Sequence, residues 1–352
     1  MTGRRFPAEW EPQEGILLCF PSNGNDWPGK YAAVQWAFVE FIKKITEEEK
    51  VFLLVANETL QEKVRHLLEM GAVNHKKVFY ILQRTNRSWM RDAGPIIVQN
   101  NHKREAINFN FNGWAKYPNW QLDKFIPNKV ARYLSLPITQ ATYQDQKVIL
   151  EGGALEVNGK GTLITTEECL LDPTIQVRNT GFTKTDYEAV FKEYFGVSNT
   201  IWLGKGIIGD DTHGHVDDLC RFVNDNTVVT VVEKNQKDKN YAPLQENLER
   251  LKNAVLENGS PLHIIELPMP KKIVFGGLQL PASYANFLIL NNTVLVPTFN
   301  DEQDRHALDI LANCFPDRKI IGIGCTDFIW GFGTLHCLSQ QIPKESTVRV
   351  SN

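Results

Sequence analysis

Residues 159–173, "GKGTLITTEECLLDP", 224–238, "NDNTVVTVVEKNQKD", and 290–304, "LNNTVLVPTFNDEQD", share one pattern. Each runs through a turn, a threonine, a short aliphatic strand and a polar exit. Thr162, Thr227 and Thr293 recur about every 65 residues, the mark of a repeated supersecondary unit. A helix-period stretch follows each one: "KTDYEAVFKEYFG", "PLQENLERLKNAVLENG" and "DEQDRHALDILANCF". Their apolar residues fall at three- and four-residue steps. A short strand, "TIWLG", "LHIIELP" or "KIIGIG", closes each unit.

Working outward, two looser copies lie upstream. "GPIIVQNNHKREAINFNFNGW" reads as a hairpin through "NNHK", with a helix near "DKFIPNKVARYL" and a strand at "ITQATY". The first segment offers "GILLCFP", helix "YAAVQWAFVEFIKKI", strand "VFLLVA", helix "TLQEKVRHLLEMG" and strand "VFYILQR". Strands alternating with helices also suit a doubly wound α/β sheet. Fivefold recurrence favours five strand–strand–helix–strand units around a pseudo-axis, with a site where strand ends converge. No linker or low-complexity stretch interrupts the pattern, so residues 1–352 are expected to form a single domain.

The 352 residues suffice for a sizeable core. A net charge of −3 and a pI near 6.3 leave no broad basic footprint for nucleic acid or membrane surfaces. No apolar run reaches transmembrane length. "MTGRRFPAEWEPQEG" has no apolar segment behind its arginines, so no secretory signal is expected. The cysteines at 19, 169, 220, 314, 325 and 337 form no CxxC pair and read as reduced thiols in a cytoplasmic protein.

Four polar segments interrupt the regular elements. "NRSWMRDAGP" sets Trp89, Arg91 and Asp92 beside a Gly-Pro turn, where an aspartate can also be a plain turn cap. In "ILEGGALEVNGKG", Glu151 leaves an aliphatic strand before two glycines that permit a close bend, aiming it into a cavity or merely into solvent. "GDDTHGHVDDLCRF" crowds two histidines and four aspartates together. If it is a strand, His213 and His215 share a face and, with Asp217, suggest a metal-dependent hydrolase. No further ligand follows at a motif spacing such as HExxH. Equally open are one histidine as a general acid/base among cation-binding aspartates, and the segment as a polar loop capping a helix over "VDDLCRFV". The fourth, "GFGTLHCLSQQ", carries Cys337 just after a histidine.

Together these groups suit a thiol enzyme acting on a cation. Carboxylates hold a planar guanidinium through paired charge-assisted hydrogen bonds, and a histidine supplies the proton that departing ammonia requires. A non-catalytic propeller-like binding module would share the repeats but have no use for this set.

The motifs "FPAEWEPQEGILLCFP", "WMRDAGP", "LEGGALEVNGKGTLITTEECLL", "DDTHGHVDD" and "LHCLSQQIP" run in order from residue 6 to 343. In them the chain resembles the agmatine deiminase family, which includes the bacterial-type peptidyl-arginine deiminases. The resemblance implies a pentein α/β-propeller of five ββαβ units around a pseudo-fivefold axis. It also implies hydrolysis of a guanidine to a ureido group and ammonia without metal or organic cofactor. By motif position Cys337 is the nucleophile and His215 the general acid/base. Asp92 and Asp217 grip the guanidinium, Glu151 supports the same site, Trp89 walls it, and Asp211 faces the distal amine of the substrate. Agmatine, giving N-carbamoylputrescine, is the expected substrate. Peptidyl-arginine, free arginine and amidino transfer are the alternatives. For an arginine carboxylate the candidate partners are Arg178 and Arg305. The expected partner is thus a small cationic guanidine, with no nucleic acid or membrane and a homo-oligomer left open. The chain departs from the family pattern at Phe332 and Thr334, where the family usually reads Gly and Asn, at His213, and in the short loop "NGWAKYPNW".

Overall fold

The computed structural model describes residues 3–345. The chain folds as a mixed α/β protein. Among the described residues, five sheets of three or four strands carry the framework, with two small hairpins beside them.

The three threonine-led repeats become three equivalent sheets. In each, an antiparallel partner precedes the central strand and a parallel strand follows the helix. Glu156–Val157, Thr162–Thr166 and Asn199–Leu203 make the first. Cys220–Phe222, Thr227–Val232 and His263–Pro268 make the second, and Leu288–Ile289, Thr293–Thr298 and Lys319–Gly324 the third. Each repeated threonine opens the parallel ladder: Thr162 pairs with Asn199, Thr227 with His263 and Thr293 with Lys319. These strands are buried along nearly their whole length, which explains why they read as aliphatic runs rather than alternating ones.

The helices between the strands start and stop where local chemistry dictates. Thr183 and Asp186 form a reciprocal capping box ahead of Lys184–Phe195, and Gly196 ends that helix in the left-handed conformation with φ 70°. Asn57 caps Glu58–Met70 by accepting from the Leu60 amide. Tyr241–Lys252 stops earlier than its periodicity suggests, because residues 255 and 261 bridge instead.

The upstream copies assemble less locally. Ile96–Asn100 and Lys103–Asn108 form the expected hairpin, flanked by Arg4–Arg5 and by the parallel strand Ile138–Gln140. In the remaining sheet, Gln13–Cys19, Lys50–Val55 and Val78–Leu82 run parallel, and the antiparallel partner of Gln13–Cys19 is Ser339–Pro343 from the far end of the chain. That pairing draws the Cys337 loop back against the first sheet. Among the described residues two apolar clusters fill the interior, one spanning most units and a second built on the aromatic face of Lys184–Phe195. No helix among the described residues is long and apolar enough to cross a membrane.

Residues 216–222 differ from the helix reading. Val216–Asp218 make one 3-10 turn, and Cys220–Phe222 are strand, whose Cys220 and Arg221 pair with Thr230 and Val229. The β-rich tail of the segment overrides its capping aspartates.

Candidate active site

Cys337 sits in the short loop between the 3-10 turn Phe328–Gly331 and the strand Ser339–Pro343. Asn286, from another unit, organises this loop. Its side-chain oxygen accepts from the His336 amide at 3.1 Å, the Cys337 amide at 3.3 Å and Thr334 Oγ1 at 2.8 Å. Its amide nitrogen donates to Cys337 Sγ at 3.0 Å and to Asp218 Oδ1 at 3.0 Å. Gly331 and Gly333 are there for room. A Cβ at 333 would lie 2.7 Å from the Trp89 ring and 3.0 Å from Cys337 Cβ, and one at 331 would lie 2.6 Å from Trp27 Nε1. Phe332 between them takes a left-handed conformation, φ 70°, and lines the cavity.

Asp92 lies, buried, in the one-turn helix Met90–Ala93 that follows Trp89. Its Oδ1 accepts from the Gly153 amide at 3.2 Å and its Oδ2 from Trp114 Nε1 at 2.9 Å. The double glycine after Glu151 acts by close approach. A Cβ at 153 would stand 2.5 Å from His215 Nδ1 and 3.0 Å from Asp92 Oδ1, and one at 152 would stand 2.4 Å from the Arg91 carbonyl. His215 thereby rests between two carboxylates, with Nδ1 3.8 Å from Asp92 and Nε2 3.8 Å from Glu151. Burial works against its imidazolium, yet Asp92, the Cys169 thiol and Glu151 raise its pKa well above the ordinary histidine range. Glu151 is itself fully buried. Despite that burial, the Arg178 guanidinium and His215 hold it down to about 2.

Arg178 is therefore spoken for. Its Nε donates to both Glu151 oxygens, at 3.1 and 3.3 Å, and its outer nitrogens donate to the Gln176 and Thr212 carbonyls. It is a structural partner of Glu151 and not a receptor for a substrate carboxylate. Arg305 stands on an exposed helix face beside Asp309 and does not line the cavity.

Asp217 meets Cys337 from the other side. Its Oδ2 accepts from His336 Nδ1 at 2.7 Å and from the Cys337 thiol at 3.6 Å. His336 Nε2 contacts Glu9 at 3.0 Å, and Glu9 pairs with the buried Arg221, which also binds Glu156. Burial opposes ionisation of Asp217, but the hydrogen bond and charge of His336 hold its pKa below the ordinary carboxylate value. Burial raises the Cys337 thiol well above its usual value, and Asp217, Asp218 and Asp92 add to the rise. Burial likewise lifts Asp92 to about 6, with help from Asp217 and Glu151.

Trp89, Asp92, Asp211 and Cys337 line one cavity of about 240 Å³, with Trp114, Phe332 and Tyr117. His215, Glu151 and Asp217 are packed behind that lining. At the outer end Asp211 does not stand free. Lys116 Nζ and Tyr117 Oη donate to its two oxygens at 2.5 and 2.6 Å.

The spacing of His213 and His215 does not put them together. His213 adopts φ 67° in a turn, and its Nε2 pairs with Asp172 at 2.9 Å, away from the partners of His215. The histidine pair with Asp217 is thus no ligand set. Ligand atoms of Glu151, Cys169 and His215 do lie within 4.8 Å of one another, as do those of Asp217, Asp218 and Cys337. In the first set the cation opposite Glu151 is already Arg178.

The model of the Porphyromonas-type peptidyl-arginine deiminase family matches residues 5–343. A relative from Marinomonas sp. (strain MWYL1), named "Putative agmatine deiminase", is 32% identical, over 99% of this chain and 97% of its own. The solved agmatine deiminase of Enterococcus faecalis superposes with a TM-score of 0.89 at 30% identity, over 98% of this chain and 97% of that one. The C. jejuni agmatine deiminase gives a TM-score of 0.84 at 31% identity, covering 97% of each chain. The protein is an enzyme of the class acting on guanidino C–N bonds. It belongs to the Porphyromonas-type peptidyl-arginine deiminase family, together with these agmatine deiminase relatives.

Asn286, Trp114, Glu9 and His336 went unnoticed as site residues in the sequence. His336 had a signal, its place beside Cys337 in the motif. Asn286, in "ASYANFLIL", had none.

Proposed function

We propose that this chain hydrolyses the guanidine group of agmatine to N-carbamoylputrescine and ammonia, with Cys337 as nucleophile. One observation carries the reading. Cys337, Asp92 and Asp211 open on a single cavity, while Asp217 Oδ1 and both ring nitrogens of His215 are buried with no hydrogen-bond partner among the described residues. Buried polar atoms without partners are rare and costly, and a planar cation rich in N–H donors bound beside Cys337 would satisfy Asp217 Oδ1.

The guanidinium binds between Asp92 and Asp217, and its charge offsets the acids that keep the thiol protonated. The thiol proton leaves to water, and Sγ bonds to the central carbon. His215, whose imidazolium the neighbouring Asp92 and Glu151 favour, gives its proton to the departing nitrogen as the C–N bond breaks, leaving a thiouronium on Cys337. Neutral His215 then takes a proton from water as its oxygen adds to the carbon. Collapse breaks the C–S bond, returns the thiolate, and releases the ureido product and a proton to solvent. Glu151, backed by Arg178, steadies the His215 imidazolium, and Trp89 walls the reacting carbon.

The five sheets, each with an antiparallel pair followed by a helix and a parallel strand, support a single-domain pentein propeller about a pseudo-fivefold axis. A small cytoplasmic metabolite suits a cavity of about 240 Å³. The pairing of Asp211 with Lys116 favours a second reading, in which the guanidine carries a tail other than a bare ammonium, as in peptidyl-arginine or arginine.

The deciding experiment is ammonia release from agmatine, arginine and a peptidyl-arginine. Each is assayed untreated, with a chelator, and after thiol alkylation. Loss on alkylation with indifference to the chelator is the expected result. Release that survives alkylation, or stops with the chelator, defeats the thiol mechanism.

A further inference from the structure

Loop 113–117 reaches both ends of the cavity. At the guanidinium end Trp114 Nε1 donates to Asp92, and at the outer end Lys116 and Tyr117 clasp Asp211. Its backbone is held in a sparsely populated conformation: Gly113, Trp114 and Ala115 all have positive φ, at 68°, 57° and 52°. Residues with a Cβ persist there only where their surroundings over-determine them, and such strain gathers at functional sites. Gln176 supplies part of that restraint. Its Nε2 donates to the carbonyls of Trp114 and Asp211, both at 3.1 Å, tying the loop to the segment that carries the acid. Nearby, Arg87 lies 4.1 Å over the Tyr117 ring and pairs with Asp26 at 2.9 Å. Both carboxylates of the outer end, Asp26 and Asp211, therefore already face a cation.

We propose that Lys116 is a specificity-determining residue, which seats its own ammonium on Asp211 and so fills the position a cationic substrate tail would take. A guanidine with a tail ammonium binds by displacing Lys116 or sharing Asp211 with it. A guanidine with a neutral tail forfeits comparatively little. Displacement is feasible because the Lys116 side chain is 40% exposed and its ammonium can return to water. The inference rests on the deiminase reading for the guanidine end and concerns the tail alone.

The test compares agmatine with n-butylguanidine, which has the same four-carbon chain and no amine. Lys116→Met keeps the apolar stem and removes the charge. It is expected to raise the ratio of kcat/KM for agmatine over butylguanidine about fivefold, chiefly through a lower KM for agmatine. Lys116→Arg keeps a cation on Asp211 and is expected to hold the wild-type ratio. A ratio that is unchanged or lower in Lys116→Met overturns the proposal. Calorimetric Kd values for both guanidines, on a Cys337→Ser background, give the same ratio without turnover. A shift in the Kd ratio with no ammonia from the active-cysteine proteins would sink the deiminase reading and leave Lys116 in its role. Ammonia release with a ratio indifferent to Lys116→Met sinks the Lys116 proposal alone, and failure of both guanidines to bind sinks both.

Discussion

The thiol of Cys337 points at a carboxylate: its Sγ lies 3.6 Å from Oδ2 of Asp217. With burial and the neighbouring acids, that contact opposes thiolate formation in the free enzyme. A cation in the site reverses the balance. Alkylation of Cys337 is expected to be slow at neutral pH, and its pH profile to move to lower pH with a bound cationic, unreactive guanidine analogue. A profile that stays put would remove substrate-assisted ionisation from the mechanism. Cys337→Ser should abolish ammonia release while leaving the thermal unfolding midpoint near wild type.

Asp92 should govern the acid limb. Burial raises its pKa to about 6, and in the proposed mechanism the guanidinium is held by the carboxylate, so kcat/KM is expected to fall as pH drops through that value. Asp92→Asn should cost binding on the order of 3–5 kcal/mol by removing a buried charge partner, and the acid limb should disappear with it. Near-normal kinetics for this variant would take Asp92 out of the guanidinium site.

Gly153 can be tested by a single methyl group. A Cβ there would stand 2.5 Å from His215 Nδ1 and 3.0 Å from Asp92 Oδ1, two buried side chains, so the imidazole has to shift. Gly153→Ala is expected to displace the imidazole and lower kcat by about 10²-fold or more, the usual scale of general acid–base catalysis. Circular dichroism should show the fold intact. An unchanged kcat would mean that His215 has latitude the packing does not suggest.

Arg178 links the site to stability. Removing it leaves Glu151 buried without its cation, and Arg178→Ala is expected to lower unfolding free energy by about 3–5 kcal/mol in urea titrations. Glu151 has a folded-state pKa depressed to about 2, so its contribution is present above the unfolded glutamate value, near 4.3. It is lost as pH falls from there toward 2. Wild-type stability should decline across that window and the variant's decline should be shallower. Parallel pH profiles would argue that Glu151 gains nothing from Arg178.

Much of this molecule is local, and the local part is written in the sequence. Threonine-led strands, helix periods and caps depend on neighbours within a few residues, so the repeating strand order was legible, as were the motifs around Asp92, Glu151, His215 and Cys337. The spacing of His213 and His215 misled because the segment is a turn, and a left-handed residue breaks the alternation that a strand would impose. Arg178 looked available because a single chain does not announce which charge will meet it.

The sequence by itself determined which residues could react and which elements would carry them. The tertiary structure alone decided their company: Asn286 on Cys337 across 51 positions, His336 between Asp217 and Glu9, Ser339–Pro343 completing the first sheet, and Lys116 on Asp211 across 95. Periodicity records the preferences of near neighbours. A contact closed across such distances depends on how whole sheets pack, and it leaves no spacing in the chain from which to read it.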